Sequence, residues 1–336
     1  MKKYSLSICI PTYNREKYLN ELLESVYSQL EESTTDLVQV CISDNASTDN
    51  TDSMIKRWQT DTKLNIVYSK NKINIGPDLN YLKSVSIADG VYCWLMGSDD
   101  KIKEGAITYV LNEIKSGYDI YLCNRTECDI NMKPEKKRFW LYKKIKDKVF
   151  DFTDIKTQEY YFNNSKHLGA VFSYLSCIIV NKKRWSAINY DTKYTGSAYS
   201  HVFILLSILT KNGKLKYIYK SLILCRIGND SFLDKGVLKR YLIDYNGYRM
   251  LANDFYSKSP EIKKCFLNIL TRERALRSII YLALVIENDN EKNEADKIID
   301  EFDYSLLVKL LFKITSNIPY KKAFITFLRK VKAIIK

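Results

Sequence analysis

The chain has 336 residues, of which 46% are apolar, and it contains only 5 prolines and 11 glycines. A chain of this size buries a sizeable core, and the low proline and glycine content argues against long disordered linkers. Its net charge is +14, and the segment from Ser305 to Lys336 carries eight Lys or Arg and no Asp or Glu. Because the excess charge is concentrated in one segment, it does not predict a nucleic-acid-binding surface.

Signals for export or membrane insertion are not expected. Met1–Pro11 has too few apolar residues for a signal peptide, and the longest apolar run, Ile279–Ile286, is far shorter than the roughly 20 residues that span a bilayer. The eight cysteines include no Cys-x-x-Cys pair, and the only histidines are His167 and His201. We therefore expect a cytoplasmic protein without a zinc site, in which any metal is a hard cation with oxygen ligands.

The first 125 residues alternate short β-branched runs with amphipathic stretches, which is the pattern of a parallel sheet covered by helices. Strands are predicted at Ser5–Ile10, Val38–Ser43, Asn65–Ser69, Tyr92–Met96 and Asp119–Cys123, and helices at Tyr18–Leu30, Thr48–Gln59, Asp78–Ala88 and Glu104–Lys115. The pattern indicates an α/β fold with a doubly wound, mostly parallel sheet and flanking helices.

The rest of the chain is less regular. Residues 126–150 are basic and aromatic and predict a loop or a short hairpin. A helix is predicted at His201–Leu209 and strands near Lys216–Tyr219 and Leu222–Arg226, and the periodicity from Val237 onward is helical. We expect a C-terminal helical extension over residues 237–336.

Three polar clusters follow predicted strands. They are Pro11–Arg15 after the first strand, Asp44–Asp49 after the second and Gly97–Asp100 after the fourth. In open α/β sheets, ligands bind beyond the carboxyl ends of the strands. The shared position of the clusters therefore predicts one binding site.

The adjacent carboxylates Asp99 and Asp100 are suited to a divalent cation and phosphate oxygens, because hard cations prefer oxygen ligands and neutralise like charges. Such a cation would stabilise a departing diphosphate as a Lewis acid. The alternative is that the pair caps the helix that starts near Glu104.

The other two clusters have comparable alternatives. Asp44 is placed to accept a hydrogen bond from a base or ribose, whereas Asp49 suits a turn or a helix cap. Pro11 and Thr12 form either a simple strand exit or one wall of a nucleoside slot, in which the ring of Tyr13 would stack.

Taken together, these motifs resemble the family-2 glycosyltransferases of the GT-A fold, and their wording is most similar to the abequosyltransferase-like branch. The resemblance is carried by Ile8–Arg15, Ile42–Asp49, Asn74–Gly76 with Asn80, Ala88–Gly90 and Trp94–Asp100. It implies a metal-dependent, inverting transfer of a sugar from a nucleotide-diphosphate donor to a glycan or lipid-linked acceptor, in the synthesis of surface polysaccharides.

The resemblance also implies roles for domains and residues. Residues 1–236 would form the catalytic domain, with a nucleotide-binding half (1–125) and an acceptor-binding half (126–236). The donor would be bound by Pro11, Thr12, Tyr13, Asp44, Asn74, Asn80 and Asp99, and Mn²⁺ or Mg²⁺ by Asp100 first and Asp99 second.

Members of this family carry a general base at the start of a helix in the second half, a position that His201 occupies in place of an acid. His201 would be the base, join the metal shell or only pack at the helix start, and Asp191 is the alternative base. Arg226 and Asp230 are further polar candidates, Arg226 as a partner of the donor phosphates or as part of a strand that ends in a turn.

From Pro319 onward, apolar residues at helical spacing alternate with lysines and Arg329, which describes a basic amphipathic helix. It would bind the anionic inner face of the cell membrane or pack on its own domain. The alternative to an enzyme is a non-catalytic nucleotide-sugar-binding or scaffold protein of the same fold. A nucleotidyltransferase is disfavoured because its Gly-rich, Lys-bearing N-terminal loop is missing.

Overall fold

A computed structural model describes residues 4–228, 236–286 and 288–319. Contacts divide the chain into two compact units, residues 1–229 and residues 230–336. Over the described residues, no helix is both long and apolar enough to cross a membrane. Asp230 and the basic segment 320–336, which the sequence singled out, lie outside the described residues.

The first unit is built on one mixed sheet with the strand order β3-β2-β1-β4-β9-β6-β10-β5, in which β7 also pairs with β6 and β8 with β10. Its strands are β1 Leu6–Thr12, β2 Val38–Asp44, β3 Ile66–Lys70, β4 Tyr92–Leu95, β5 Lys101–Ile102, β6 Ile120–Cys128, β7 Pro134–Arg138, β8 Lys148–Asp151, β9 Ile178–Asn181 and β10 Lys214–Arg226. Its helices are α1 Glu16–Tyr27, α2 Glu32–Thr35, α3 Thr51–Asp61, α4 Pro77–Ser86, α5 Ala106–Glu113, α6 Ile155–Asn164, α7 Lys182–Ser186 and α8 Ser200–Thr210.

Residues 4–125 follow the predicted pattern. All seven residues of β1 and all seven of β2 are buried, as expected for central parallel strands covered on both faces. In α1, Leu19, Leu22, Leu23 and Val26 recur at helical spacing and form the buried face. Strands β1 to β4 pair in parallel, so their carboxyl ends lie at one edge of the sheet.

The second half of the sheet adds antiparallel pairs. Strand β9 inserts between β4 and β6 and runs antiparallel to both. Because Trp94 near the end of β4 pairs with Ile179 near the start of β9, the residues before β9 lie beside those after β4. This topology places the segment that precedes β9 next to Asp99 and Asp100.

The structure agrees with one local prediction and differs from another. The basic region 126–150 is a hairpin, since β6 extends to Cys128 and β7 returns antiparallel to it, and β8 then pairs with β10. The two strands predicted near Lys216–Tyr219 and Leu222–Arg226 are one continuous strand, β10. Its register against β6 shifts between Ile218 and Ile223, and this irregularity interrupts the alternation that a sequence pattern relies on.

The second unit is helical, as expected for the C-terminal extension. Its helices are α9 Val237–Tyr256, α10 Pro260–Glu273, α11 Leu276–Val285, α12 Asp289–Glu301 and α13 Leu306–Ser316. Inside it, the buried carboxylate of Asp244 pairs with Arg240 at 2.7 Å and with Arg274. Helix α13 leaves four large apolar side chains exposed, namely Leu306, Leu307, Leu310 and Ile314.

Candidate functional site

The carboxyl ends of β1 and β2 place Thr12 and Asp44 side by side. Both are buried, and the carboxylate of Asp44 accepts hydrogen bonds from the Ser47 amide at 2.9 Å and from the Tyr68 hydroxyl at 2.8 Å. Burial and the neighbouring Asp44 raise the pKa of Tyr68, which therefore stays a hydrogen-bond donor. The hydroxyl of Thr12 is buried without a hydrogen-bond partner among the described residues.

An amide network ties the loop after β3 to these strand ends. Asn80 is buried: its side-chain oxygen accepts from the Ser43 hydroxyl at 2.7 Å, and its amide donates to the Ser43 carbonyl at 3.0 Å. Asn74 is exposed, and its oxygen accepts from Asn45 at 2.8 Å. Asn71 connects Asn45 with Asn80, because its side-chain amide donates a hydrogen bond to the side-chain oxygen of each. Asn80 therefore shapes the loop from within, while Asn74 lies at its surface.

Asp49 has the capping contacts that the turn reading predicted. Its carboxylate accepts hydrogen bonds from the Thr51 amide and hydroxyl, at 3.1 and 2.6 Å, and from the Glu16 amide at 3.1 Å. It therefore joins the starts of α1 and α3. Nearby, Tyr13 is 45% exposed, so one face of its ring is accessible at this edge.

Asp99 and Asp100 follow β4 and differ in their surroundings. Asp100 is only 3% exposed and accepts hydrogen bonds from the Tyr174 hydroxyl at 2.5 Å, the Ser176 hydroxyl and the Arg226 amide at 3.3 Å. Burial, followed by the charge of Asp99, raises the pKa of Asp100 to about 6. Asp99 is more exposed and pairs with the guanidinium of Arg15. Neither carboxylate caps α5, which begins at Ala106 with Gly105 as its cap residue.

Both carboxylates lie close to Gly97. A Cβ atom on this glycine would lie 3.2 Å from Asp99 Oδ1, 3.3 Å from Asp100 Oδ2 and 3.4 Å from Ser176 Oγ, so three oxygens border this position. Carboxylate oxygens are the ligands that Mg²⁺ and Mn²⁺ prefer, and these cations complete their shells with water and substrate phosphates. Within the described residues, no group of three or more His, Cys, Asp or Glu side chains is arranged for a metal.

Four residues of this site were given no role by the sequence. Arg15 lies in the first polar cluster, but Tyr174 and Ser176 are more than 70 residues away from Asp100 and belong to no local motif. Arg125 on β6 stacks over the Tyr174 ring, with its guanidinium carbon 4.0 Å from the ring centroid. Its positive charge offsets a part of the rise in the pKa of Asp100. The antiparallel pairing of β9 brings Tyr174 and Ser176 to Asp100.

The candidate bases lie in different environments. His201 is the second residue of α8 and is 3% exposed, with its Nε2 atom 2.8 Å from the carbonyl oxygen of Phe172. Burial lowers its pKa below the usual value for histidine. Asp191 caps the short turn Thr192–Tyr194, and its side chain is 39% exposed beside Lys193.

Arg226 is fully engaged within the protein. Its side chain is 2% exposed and forms an ion pair with Glu21 at 2.7 Å, and its guanidinium also donates to the carbonyl oxygens of Asp99 and Ile130. The guanidinium carbon lies 4.5 Å from the centroid of the Tyr18 ring. Of the two roles considered for Arg226, these contacts favour the structural one.

The sheet and the carboxylate pair at its edge are typical of glycosyltransferases that use nucleotide-activated sugars. The profile of Glycosyl transferase family 2 matches residues 7–182, and the chain belongs to this family. It is 44% identical to the abequosyltransferase RfbV of Salmonella typhimurium over 292 residues, which are 86% of each protein. The relationship confirms the abequosyltransferase-like branch.

More distant relatives share the same architecture. A GalNAc(5)-diNAcBac-PP-undecaprenol beta-1,3-glucosyltransferase of Campylobacter jejuni is 25% identical over 77% of this chain and 78% of its own length. The structure of S. aureus TarS 1–349 in complex with UDP superposes with a TM-score of 0.63, covering 97% of this chain and 91% of that one at 15% identity. The mannosyltransferase PcManGT of Pyrobaculum calidifontis, in complex with GDP-Man and Mn²⁺, superposes with a TM-score of 0.53, at 14% identity and over 96% and 84% of the two chains.

These relationships confirm the expected GT-A-like fold and show that the chain is a glycosyltransferase. They favour the catalytic function over the alternative of a non-catalytic binding or scaffold protein.

Proposed function

We propose that this enzyme transfers a deoxyhexose of the abequose type from a nucleoside-diphosphate donor to a glycan or lipid-linked saccharide. The proposal rests on the carboxylates of Asp99 and Asp100, which both lie close to Gly97. They lie at the same sheet edge as Asp44 and Thr12. Extensive identity to an abequosyltransferase supports the choice of sugar. A surface-polysaccharide precursor is the acceptor class that fits this chemistry.

The donor nucleoside binds at the ends of β1 and β2 in this proposal. The exposed ring of Tyr13 offers a stacking face. The buried hydroxyl of Thr12 next to Asp44, which has no partner among the described residues, supplies a hydrogen-bonding group. Asp44 accepts from the base or ribose. Pro11 contributes a wall, exposed Asn74 contacts the donor, and Asn80 supports the loop from inside.

Asp100 and Asp99 would hold a divalent cation, Mn²⁺ or Mg²⁺, together with the donor diphosphate. When bound, it offsets the negative charge that develops on the leaving nucleoside diphosphate. Arg15 already neutralises part of the charge on Asp99, and Arg125 lies close enough to lower the pKa of Asp100. These cationic side chains keep two adjacent carboxylates compatible before the donor arrives.

The reaction is a direct displacement with inversion. The acceptor hydroxyl gives its proton to a general base while its oxygen bonds to the anomeric carbon and the bond to the diphosphate breaks. We assign the base to Asp191, because its carboxylate is exposed, whereas the imidazole of His201 is buried. Hydrogen bonds to the backbone and side chain of Lys193 lower the pKa of Asp191, so it is ionised at neutral pH.

The test is release of nucleoside diphosphate from a panel of CDP-, dTDP-, UDP- and GDP-sugars that includes deoxyhexoses and their hydroxylated counterparts. We expect turnover with one deoxyhexose donor, dependence on Mn²⁺ or Mg²⁺, and loss of at least about 100-fold in kcat for Asp100→Ala and Asp99→Asn. Asp61→Ala, at the exposed end of α3, serves as the matched control with unchanged turnover. Full turnover of Asp100→Ala without added metal would overturn the metal assignment.

Asp191→Asn tests the base independently of the metal. The substitution keeps the shape of the side chain and its capping acceptor but removes the basic group. We expect kcat to fall by about 10²–10⁴-fold while donor affinity is retained. Wild-type kcat in Asp191→Asn would exclude the assignment.

The enzyme also acts at the inner face of the cell membrane in this proposal. The exposed stripe of Leu306, Leu307, Leu310 and Ile314 on α13 lies in the segment Ser305–Lys336, which has eight basic and no acidic residues. An exposed apolar face within a basic segment suits an anionic lipid surface. Burial of the apolar side chains and attraction of the basic residues to the lipids both contribute to the free energy of binding. A lipid-linked acceptor would be presented at that surface.

Co-sedimentation with vesicles tests this location. We expect the protein to bind phosphatidylcholine vesicles that contain phosphatidylglycerol, and to lose binding in high salt or in the triple variant L306S/L310S/I314S. Ile155→Ser is the matched control, because Ile155 is also well exposed but lies at the start of α6 in the other unit. Unchanged binding of the triple variant, or a change only in oligomeric state, would refute α13 as the membrane contact.

A further inference from the structure

Phe172 is an unusual point in the acceptor half. It follows the short helical turn Leu168–Val171, and its φ of +62° puts it in the left-handed region, although its side chain is bulky and buried. Non-glycine residues in this region cost of order 1–3 kcal/mol and persist only when surrounding contacts hold them. A contact that compensates for this cost is therefore expected at Phe172.

His201 supplies such a contact. Its Nε2 atom is 2.8 Å from the Phe172 carbonyl oxygen, and because a carbonyl only accepts hydrogen bonds, Nε2 carries the proton. The other nitrogen, Nδ1, is buried and has no hydrogen-bond partner among the described residues. His201 lines a small cavity together with the apolar residues Leu95, Met96 and Leu175 and the polar residues Tyr81 and Ser84.

A histidine is a costly choice for this place. Burying an unpartnered polar nitrogen costs about 1–3 kcal/mol, and an apolar side chain would fill the space without that cost. Among the described residues the imidazole makes one hydrogen bond, which is therefore the feature that distinguishes histidine from leucine here. That bond ends on the backbone of Phe172.

The segment that begins at Phe172 ends at the carboxylate pair. Two and four residues later, the hydroxyls of Tyr174 and Ser176 donate to Asp100, and the Ser176 hydroxyl oxygen also accepts from the Gly97 amide at 2.9 Å. The Ser176 carbonyl accepts from the indole of Trp94 at 2.8 Å. The five residues 172–176 thus connect the imidazole of His201 to Asp100.

We propose that His201 is a positioning residue, whose Nε2–H holds the left-handed turn at Phe172 and thereby sets Tyr174 and Ser176 against Asp100. It acts on cation and donor-diphosphate binding through Asp100, and it is not the general base. The proposal rests on the metal-binding role proposed above for Asp100. A base would need to reach the acceptor hydroxyl, and this ring is buried with its only proton already donated to the backbone.

The first test compares His201→Leu with His201→Gln. Leucine removes the hydrogen bond, whereas the glutamine amide keeps an N–H donor but is no base at any pH. We expect His201→Leu to bind Mn²⁺ about tenfold more weakly, measured by electron paramagnetic resonance of free Mn²⁺ with the metal as the only ligand. His201→Gln should bind within about threefold of wild type and keep the wild-type pH profile of kcat.

Hydrogen exchange provides a readout that does not depend on metal or turnover. The amides of Gly97 and Arg226 donate to Ser176 and Asp100, so their exchange should accelerate in His201→Leu and stay slow in His201→Gln. The Val40 amide in the central strand β2 is the control, because general destabilisation would accelerate its exchange as well.

The outcomes separate the possibilities. Loss of at least about 100-fold in kcat for both variants, with unchanged Mn²⁺ binding, would identify His201 as the base and overturn the proposal. Wild-type Mn²⁺ binding and wild-type exchange at Gly97 in His201→Leu would also overturn it. A third outcome is that Asp100→Ala is fully active while His201→Leu still accelerates exchange at Gly97. It would exclude metal binding by Asp100 but support the positioning of residues 172–176 by His201.

Discussion

Replacing Arg226 by methionine distinguishes a structural arginine from one that binds donor phosphates. Methionine keeps most of the apolar stem but removes the guanidinium, which is buried and paired with Glu21 at 2.7 Å. Removing one partner of a buried ion pair costs about 3–5 kcal/mol, because the remaining groups are left unsatisfied. Here the Glu21 side chain is 22% exposed and keeps Lys101 at 3.0 Å, so we expect no more than the lower end, about 3 kcal/mol.

The pKa of Glu21 is consistent with this account. Burial raises it, but the hydrogen bonds and charges of Lys101 and Arg226 more than offset that effect, so its pKa lies below the usual value. The substitution also leaves the carbonyl oxygens of Asp99 and Ile130 without the guanidinium donor.

Urea unfolding followed by tryptophan fluorescence suits this measurement. All four tryptophans lie in the first unit, as does Arg226, so the signal reports the unit that contains the substitution. We expect the midpoint to fall by about 1 M with the slope unchanged. The control Lys56→Met removes an exposed ion pair with Asp52 and should cost no more than about 0.5 kcal/mol.

A small loss of stability together with weaker donor binding would contradict a structural role for Arg226. If Arg226→Met loses less than about 1 kcal/mol of unfolding free energy but binds the donor at least tenfold more weakly, Arg226 contacts the phosphates, and its contacts with Glu21 are incidental.

Two further predictions concern stability. Burial raises the pKa of Asp49, but hydrogen bonds from Thr51 and Glu16 outweigh this effect, so the pKa lies below its usual value. The ionised carboxylate therefore stabilises the fold at pH values above the unfolded pKa, and this stabilisation is lost as the pH falls through the folded pKa. Asp49→Asn keeps a capping acceptor and removes only the charge of an exposed side chain, so it should cost no more than about 0.5 kcal/mol at pH 7, with the difference shrinking below about pH 4 in urea unfolding; a constant difference would contradict this. Gly90→Ala should cost about 1–3 kcal/mol in the same assay, because its Cβ would lie 2.6 Å from the Ser7 backbone nitrogen; a cost under about 0.5 kcal/mol would show that β1 adjusts easily.

Much of the structure of residues 4–125 was predictable from local patterns. The strands ending at Thr12 and Asp44 and the helices between them follow from apolar periodicity and capping chemistry, which neighbouring residues encode. The shared edge of the polar clusters then follows from the parallel pairing of the strands. The single strand β10 was predicted as two, because a shift in register breaks the alternation on which prediction depends.

The environments of the polar side chains were not predictable in this way. Asp99 and Asp100 are adjacent in sequence, yet one faces Arg15 at the surface and the other is buried under Tyr174 and Ser176. That difference arises from the insertion of β9 beside β4, which no local pattern encodes. His201 likewise occupies the place where the resemblance implied a base, and its burial depends on the packing of α8.

The sequence alone was enough to predict the α/β class and the sheet edge at which the polar clusters and the adjacent carboxylates lie, because period, capping and strand-end residues are local properties. Only the tertiary structure decided which polar groups are exposed and which are satisfied internally. Their partners come from strands and turns distant in sequence, brought together by the strand order that buries the sheet. That is why the carboxylate pair was foreseen while Tyr174, Ser176 and the contact of His201 with Phe172 were not.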